Sequence, residues 1–365
     1  MIDIIRVKIS DLYALVSASN YPQWELIPIS RHRAVSYINN PRASASDTVL
    51  YLAYIDSKLV GYRTILPDEI YSNGEAIKVG WLSGNWVNPK LRRKGIATAL
   101  FGAAYTDWEG KLLFTNYALE SKAVYDKSSH FELASTLNGQ RFYLRPCLAK
   151  ILPPKGNVLK ALKPVWFTLD FILSIFNPFP IIGKAIRTKE ISIEYIAKPD
   201  EEVKELFTQS VAKTPTARTS RELDWIFNHP WLVSSPLGDR IGEKYFFSSS
   251  PRTFHQSLLK VYRQNELIGF MMLNNKDGFL STPYVACKDN DAVIFAKILL
   301  KQALAMGCDR VTTYHSLLAK AMKGVFLFRV ISIMQQRNFY ATHETKGMIN
   351  EGYTFNEGDG DCVFV

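Results

Sequence analysis

The run 2–7, with Ile2, Ile4, Ile5 and Val7, is rich in β-branched apolar residues and predicts an opening strand, while 11–19 and 30–39 carry helical spacing. The runs 49–56 and 59–66 read as a hairpin around Ser57-Lys58, and 76–87 as a long strand. An apolar-rich helix is expected over 95–108, a short buried strand over 112–115 and a helix over 120–127. The run 131–145 reads as a hairpin turning at Asn138-Gly139, because both positions tolerate φ > 0.

The second half repeats this layout, with a strand over 191–196, helices over 201–210 and 220–228, a hairpin, a strand and a long helix over 292–306. Residues 54–62 and 262–270 align without a gap, keeping Leu59-Val60-Gly61 in step with Leu267-Ile268-Gly269. The chain therefore reads as two copies of one α/β (α+β) fold, with domains at about 1–150 and 188–365. With 365 residues, 47% of them hydrophobic, it is long and apolar enough for two cores and is not a disordered chain.

Between the copies, 151–187 is a compositional break. Pro153-Pro154-Lys155-Gly156 opens it, Asn177-Pro178-Phe179-Pro180 closes its middle, and the apolar run Val165 to Phe176 between them predicts a helix. The charge surplus is concentrated here: 44 Lys+Arg face 34 Asp+Glu overall, and Arg141 to Lys189 contains Asp170 as its single acid. Two readings stay open. The helix packs between the domains with Lys160, Lys163 and Lys184 in water, or it lies on a membrane surface, being too short to span a bilayer. The basic stretch holds no nucleic-acid motif, so no nucleic-acid partner is expected.

Cys147, Cys287, Cys308 and Cys362 are scattered, with no C-x-x-C pair and no His at ligand spacing, so neither a metal site nor a disulfide framework is expected. A reducing cytoplasm suits them. Asp3, Arg6 and Lys8 interrupt the apolar N-terminus, unlike a secretory signal. Glu357-Gly-Asp359-Gly-Asp361 lacks the twelve-residue calcium loop and reads as a turn before a final strand over 362–365.

The chemistry is concentrated in 85–100. A strand ends at Val87, Pro89 stops its ladder, and a helix opens near Gly95 directly after Arg92, Arg93 and Lys94. The first turn of a helix has unpaired N–H groups and the positive end of its dipole, so a diphosphate laid there gathers several charge-assisted hydrogen bonds. Gly95 lets the ligand approach the backbone, and Ala97 keeps the next turn clear. Gly80 and Gly84 inside the strand predict a bulge or a close approach.

Arg92-x-x-Gly95-x-Ala97, preceded by Val87-x-Pro89, resembles the R/Q-x-x-G-x-G/A signature of the GCN5-related N-acetyltransferase (GNAT) superfamily, over residues 1 to about 144. The resemblance implies two tandem GNAT-like domains, each a mixed, mostly antiparallel sheet flanked by helices. It also implies acetyl-CoA or another acyl-CoA as donor, without a metal. Arg92, Arg93, Lys94, Gly95, Ile96, Ala97 and Thr98 would hold the diphosphate, and Asn85, Trp86 and Val87 would run beside the pantetheine arm. The thioester would lie where the fourth and fifth strands splay apart. Ser121-Lys-Ala-Val-Tyr125-Asp-Lys127 resembles the family's S-x-x-I/L-Y-x-K stretch, which makes Tyr125 the candidate general acid; a Tyr packed on the sheet is the other reading. Ser128-Ser129-His130-Phe131 departs from the Gly-Phe often found next.

A general base is not assigned. No Glu or Asp lies between Lys78 and Asn88; Ser83 and Asn85 could hold a water, and Glu75, Asp68, Glu69 and His130 are more distant. The second copy reads Val285-Ala286-Cys287-Lys288-Asp289-Asn290-Asp291-Ala292-Val293 at the matching junction, without Gly or Arg. Asp289 and Asp291 suit it as helix caps that repel a diphosphate, so this copy is expected to wall the acceptor cleft instead. Trp225, His229, Trp231, His255, Tyr284, Tyr314 and His315 are available for such a wall without being assigned to it. The expected reaction is acetyl transfer from acetyl-CoA to a primary amine of a small molecule, amino sugar or peptide. Transfer from aminoacyl-tRNA to a peptide or lipid-linked precursor, and a non-catalytic acyl-CoA sensor, are the alternatives.

Overall fold

Two hairpins with the same irregularity introduce the architecture. In the first, β2 (Thr48–Ile55) pairs with β3 (Lys58–Ser72) through Ala53↔Gly61 and Tyr54↔Leu59, with a bulge between Ala53 and Tyr54. In the second, β8 (Phe254–Arg263) pairs with β9 (Glu266–Lys276) through Val261↔Gly269 and Tyr262↔Leu267, with a bulge between Val261 and Tyr262. Both turns place two non-glycine residues at positive φ, Asp56 and Ser57 at 48° and 59°, Gln264 and Asn265 at 48° and 70°. That is the twist a two-residue hairpin loop demands. The gap-free stretch in the sequence is thus one hairpin made twice, down to its bulge.

This computed structural model describes residues 1–115, 119–177, 190–234, 240–247, 250–325 and 331–364. They form two compact units, each discontinuous in sequence: Met1–Leu137, Lys198–Arg252 and Gln336–Val365 in the first, Asn138–Ala197 and Thr253–Gln335 in the second. Residues 198–252, which follow the linker, therefore pack with the first copy.

In the first unit, β1 (Asp3–Lys8), β2, β3 and β4 (Glu75–Val87) run antiparallel in that order. Next, β5 (Leu112–Thr115) joins β4 in parallel. The helices of this unit are α1 (Ile9–Ser17), α2 (Arg31–Ile38), α3 (Ile96–Asp107) and α4 (Leu119–Ser128). A core of Ile65, Leu82, Leu100, Phe101, Ala104 and Leu112 packs α3 on one face of this sheet.

The chain leaves this unit inside β6 (Phe131–Tyr143), after Leu137. The expected turn at Asn138-Gly139 is not formed. Gln140, Arg141 and Phe142 pair instead with Thr313, Thr312 and Val311 of β12 (Arg310–Thr313), and a Cβ on Gly139 would come within 2.6 Å of the Tyr314 ring. Glycine serves close approach there, and the ladder overrides the local turn preference.

The second unit repeats the order of the first: β7 (Ile191–Ile196), β8, β9 and β10 (Phe279–Ser281) run antiparallel, β12 joins β10 in parallel, and β6 pairs antiparallel with β12. The short β11 (Val285–Cys287) also pairs with β9. Helices α5 (Leu148–Ile151), α6 (Asn157–Ala161) and α7 (Lys163–Ile175) precede this sheet. Lys184, Arg187 and Lys189 lie outside the described residues.

The first unit is completed by α8 (Glu201–Val211) and α9 (Ser220–Asn228). In the second unit, α10 (Ala292–Ala305) and α11 (Ser316–Val325) flank the sheet. The chain then returns to the first unit within β13 (Ser332–Thr342), whose residues 339–341 pair with β5 before α12 (His343–Met348). Each sheet thus closes with a strand from the other half of the sequence.

The expected final strand is instead a 3-10 turn, Cys362–Phe364. Arg218 binds the carbonyls of Gly358 and Gly360, so side chains rather than a ladder hold this tail, and Phe364 stacks on Trp231.

Candidate active site

Strand β4 has its last ladder partner at Val87, opposite Gly61. The Asn88 side chain then accepts from the Lys90 N–H at 3.0 Å and starts a 3-10 turn, Pro89–Leu91. Arg93 and Gly95 take left-handed φ of 64° and 80°, and Gly95 is the N-cap of α3. No side chain caps this helix, and a Cβ added to Gly95 would meet nothing within 4 Å. Arg92, Arg93 and Lys94 are exposed, Ile96 is buried and anchors the first turn, Ala97 is half-buried and Thr98 exposed. The residues fit a diphosphate: no side chain caps the first turn of α3, the space beside Gly95 is open, and cations stand next to it.

Upstream, β4 and β5 pair only at Gly80↔Leu112 and Trp81↔Leu113, and beyond these residues the two strands part. The expected irregularity lies here, as a register shift of β4 against β3 between Arg63 and Ile65. Gly84 admits the Tyr245 hydroxyl and Phe247, which would lie 2.9 and 3.0 Å from a Cβ. Beyond the shift the pleat is regular: Val87 packs toward α3, whereas its neighbour Trp86 stacks on Tyr62 on the other face. Asn85 lies across from Arg63, and its Oδ1 is buried without a hydrogen-bond partner.

Tyr125 is buried in the core beneath α3, stacked on Phe114 with centroids 4.4 Å apart. Its hydroxyl oxygen accepts from Arg63 Nη1 at 3.0 Å. Ser129 sits at φ 55°, the conformation a glycine would adopt easily, so the departure from Gly-Phe still makes a left-handed exit from α4.

On the other face of β4, Arg33 of α2 is 5% exposed and donates to the hydroxyls of Tyr37 (3.0 Å), Tyr245 (3.1 Å) and Ser83. Its guanidinium lies 4.7 Å from the centre of the Trp231 ring. The Ser83 hydroxyl in turn donates to Asp361 Oδ2, which is 3.7 Å from Arg33 Nη2. Asp361 lies far along the chain from every base candidate the sequence offers, Asp68, Glu69, Glu75 and His130; the alternating acids of 357–361, which read as a turn, are its one local signal.

The other carboxylates considered have different duties. Asp68 binds Arg42 and Arg218 at 2.9 Å each and accepts from Trp81 Nε1 at 3.0 Å. Burial works to raise its pKa, but the charges of Arg218 and Arg42 hold it below the usual carboxylate value. Glu69 lies 3.9 Å from Arg42, Glu75 opens β4 opposite Ser72, and His130 stacks on Tyr105.

Residues 31–128 match the family of acetyltransferase (GNAT) domains. This stretch is a GNAT domain. It includes α2, the β3–β4 pair, the open turn at Gly95 and Tyr125. Among solved structures, the chain is similar to a GCN5-related N-acetyltransferase from Anabaena variabilis, at 12% identity and TM-score 0.52, over 96% of this chain and 73% of that one. It is also similar to Saccharomyces cerevisiae N-myristoyltransferase with bound myristoyl-CoA, at 13% identity and TM-score 0.52, over 93% of this chain and 78% of that one. At such identities the likeness is one of fold. No curated protein matches the chain.

The second copy has no equivalent of the GNAT turn. Cys287 pairs with Gly269 as Val87 pairs with Gly61, but α10 starts at Ala292 with only 288–291 between, where the GNAT domain has 88–95. The loop of Arg92 to Gly95 is what is missing. Asp291 does not cap α10 as expected; its carboxylate binds Arg263 instead. Among the described residues no group of three or more His, Cys, Asp or Glu is placed to hold a metal ion, and no helix is long and apolar enough to cross a membrane.

Proposed function

We propose that this protein is an acyl-CoA-dependent N-acyltransferase that moves an acetyl group from acetyl-CoA to a primary amine of a small molecule, amino sugar or peptide by direct attack. The observation that carries this reading is the left-handed, uncapped Gly95 that opens α3 with no atom within 4 Å of where a Cβ would lie, beside the exposed Arg92, Arg93 and Lys94. In this reading the amides and cations of 92–98 bind the diphosphate, and Asn85 to Val87 orient the pantetheine arm toward the parting of β4 and β5. When bound, acyl-CoA supplies the thioester carbonyl as electrophile and the thiol as leaving group. Tyr125 delivers a proton to the leaving sulfur; because its oxygen already accepts from Arg63, its own O–H is directed elsewhere. The second copy, without the loop, carries no donor.

Residues 198–252 and 336–365, which pack with the GNAT domain, supply the acceptor side in this proposal. A cytoplasmic enzyme touching the inner face of a membrane through α7 completes it, supported by the exposed Phe167, Phe171 and Phe176 next to Lys160 and Lys163.

Calorimetry with acetyl-CoA tests the reading. Gly95→Glu puts a carboxylate where the diphosphate would lie and is expected to abolish binding, at a folding cost of about 1 kcal/mol for a side chain at positive φ. Unchanged affinity in this variant removes the proposal.

A further inference from the structure

We propose that Asp361 is the general base of this site, taking the proton that the acceptor ammonium must lose before attack. The inference rests on the acyltransfer reading above and names the group that β4 itself lacks.

Ser83 belongs to the irregular part of β4, just beyond the last residue paired with β5, and it holds Asp361 Oδ2 there through its hydroxyl. Arg33 fixes Ser83 from behind and lies 3.7 Å from the same carboxylate oxygen. The Asp361 side chain is 26% exposed, so it is held in place and still reachable. Neighbouring carboxylates are committed elsewhere: Asp68 to two arginines, Glu222 to Arg42 and Thr219, Asp359 to Thr216 and the Asn356 N–H. Tyr125 lies in the α3-side core, whereas Ser83 and Asp361 lie on the α2 side of β4. Acid and base thus flank the gap between β4 and β5 from opposite faces.

One ammonium proton passes to the Asp361 carboxylate, and the freed nitrogen lone pair forms the C–N bond to the thioester carbon as the C–S bond breaks. The departing sulfur takes the Tyr125 proton, the second nitrogen proton restores Tyr125 through solvent, and Asp361 releases its proton to water. Amide, free thiol and one proton result.

A base is needed in proportion to how firmly the nucleophile holds its proton. We therefore compare n-propylamine, protonated at neutral pH, with hydroxylamine, which is not, as acceptors from acetyl-CoA in wild type and Asp361→Asn. The expected result is a fall of about 10²–10³-fold in kcat/KM with n-propylamine and little change with hydroxylamine, with acetyl-CoA affinity by calorimetry unaltered. Ser83→Ala, which keeps the carboxylate but frees it, is expected to show a smaller loss with the same preference. Equal losses with both nucleophiles, no loss with n-propylamine, or a wild type that binds acetyl-CoA but uses neither nucleophile overturns the proposal. Failure of wild type to bind acetyl-CoA removes the acyltransfer reading instead.

Discussion

Arg63 Nη1 donates to the Tyr125 hydroxyl oxygen at 3.0 Å from a fully buried position, while its Nε and Nη2 have no hydrogen-bond partner. Among the described residues no carboxylate pairs with it; its guanidinium lies 5.6 Å from the Tyr125 ring and 5.9 Å from that of Phe101. Burying a cation without a carboxylate partner costs stability, and in the proposed mechanism Arg63 has a task that offsets this, holding the Tyr125 oxygen. Arg63→Met is expected to leave the melting temperature unchanged or raise it, and to lower kcat about as far as Tyr125→Phe. The double variant should then be no worse than either single one, since both remove one unit. Additive losses in steady-state kinetics would separate the two residues.

Asp68 makes the acid side of the stability curve predictable. Its folded pKa is depressed, so its contribution is fully present above the unfolded value of about 4 and is lost as pH falls through the folded value. Trp81 donates to this carboxylate, so tryptophan fluorescence should follow acid unfolding of the first unit at pH below about 4. Asp68→Asn leaves Arg42 and Arg218 buried with a lost partner and is expected to cost about 3–5 kcal/mol at neutral pH. A urea midpoint equal to wild type would contradict this account of the cluster.

Much of this was legible locally. The hairpin at Tyr54 to Tyr62, its copy at Tyr262 to Phe270, and the loop from Arg92 to Ala97 are set by short-range pattern and turn chemistry, and the structure forms both hairpins and the open turn. What stayed hidden depends on distant partners. Asn138-Gly139 looks like a turn until β12 lies beside it, and nothing near Arg218 reveals that it binds Asp68 together with the Gly358 and Gly360 carbonyls. Asp361 is invisible for the same reason, being 278 residues from Ser83 along the chain.

The paired glycines of the two hairpins should respond differently to a methyl group. A Cβ on Gly269 would lie 2.0 Å from the Ala286 carbonyl oxygen, at φ 152°, and neither backbone can yield. Gly269→Ala is expected to destabilise by at least about 2 kcal/mol without changing acetyl-CoA affinity. A Cβ on Gly61 would meet Ile96 Cγ2 at 2.8 Å and the Trp86 carbonyl at 3.1 Å. Ile96 begins α3, so Gly61→Ala should weaken acetyl-CoA binding as well as lower the melting temperature. Equal calorimetric affinity in both variants would break the link between Gly61 and the cradle.

Helix α7 offers the clearest surface test. It buries no residue, and Phe167, Phe171, Ile175 and Phe176 are 59–80% exposed. Asp170 accepts from the Leu148 and Ala149 N–H groups at 2.8 and 2.9 Å, and Trp166 Nε1 donates to the Leu159 carbonyl, so one side of the helix is tied to the chain while the phenylalanines face outward. With Lys155, Lys160 and Lys163 exposed nearby, this arrangement suits shallow insertion into an anionic bilayer, where each lysine near the surface adds about 1 kcal/mol. The intact protein is expected to pellet with phosphatidylserine-containing vesicles and not with neutral ones. Phe167→Ser with Phe171→Ser should abolish pelleting while leaving acetyl-CoA affinity intact, since α7 and the GNAT turn belong to different units. Equal pelleting of the double variant would assign these side chains to another partner.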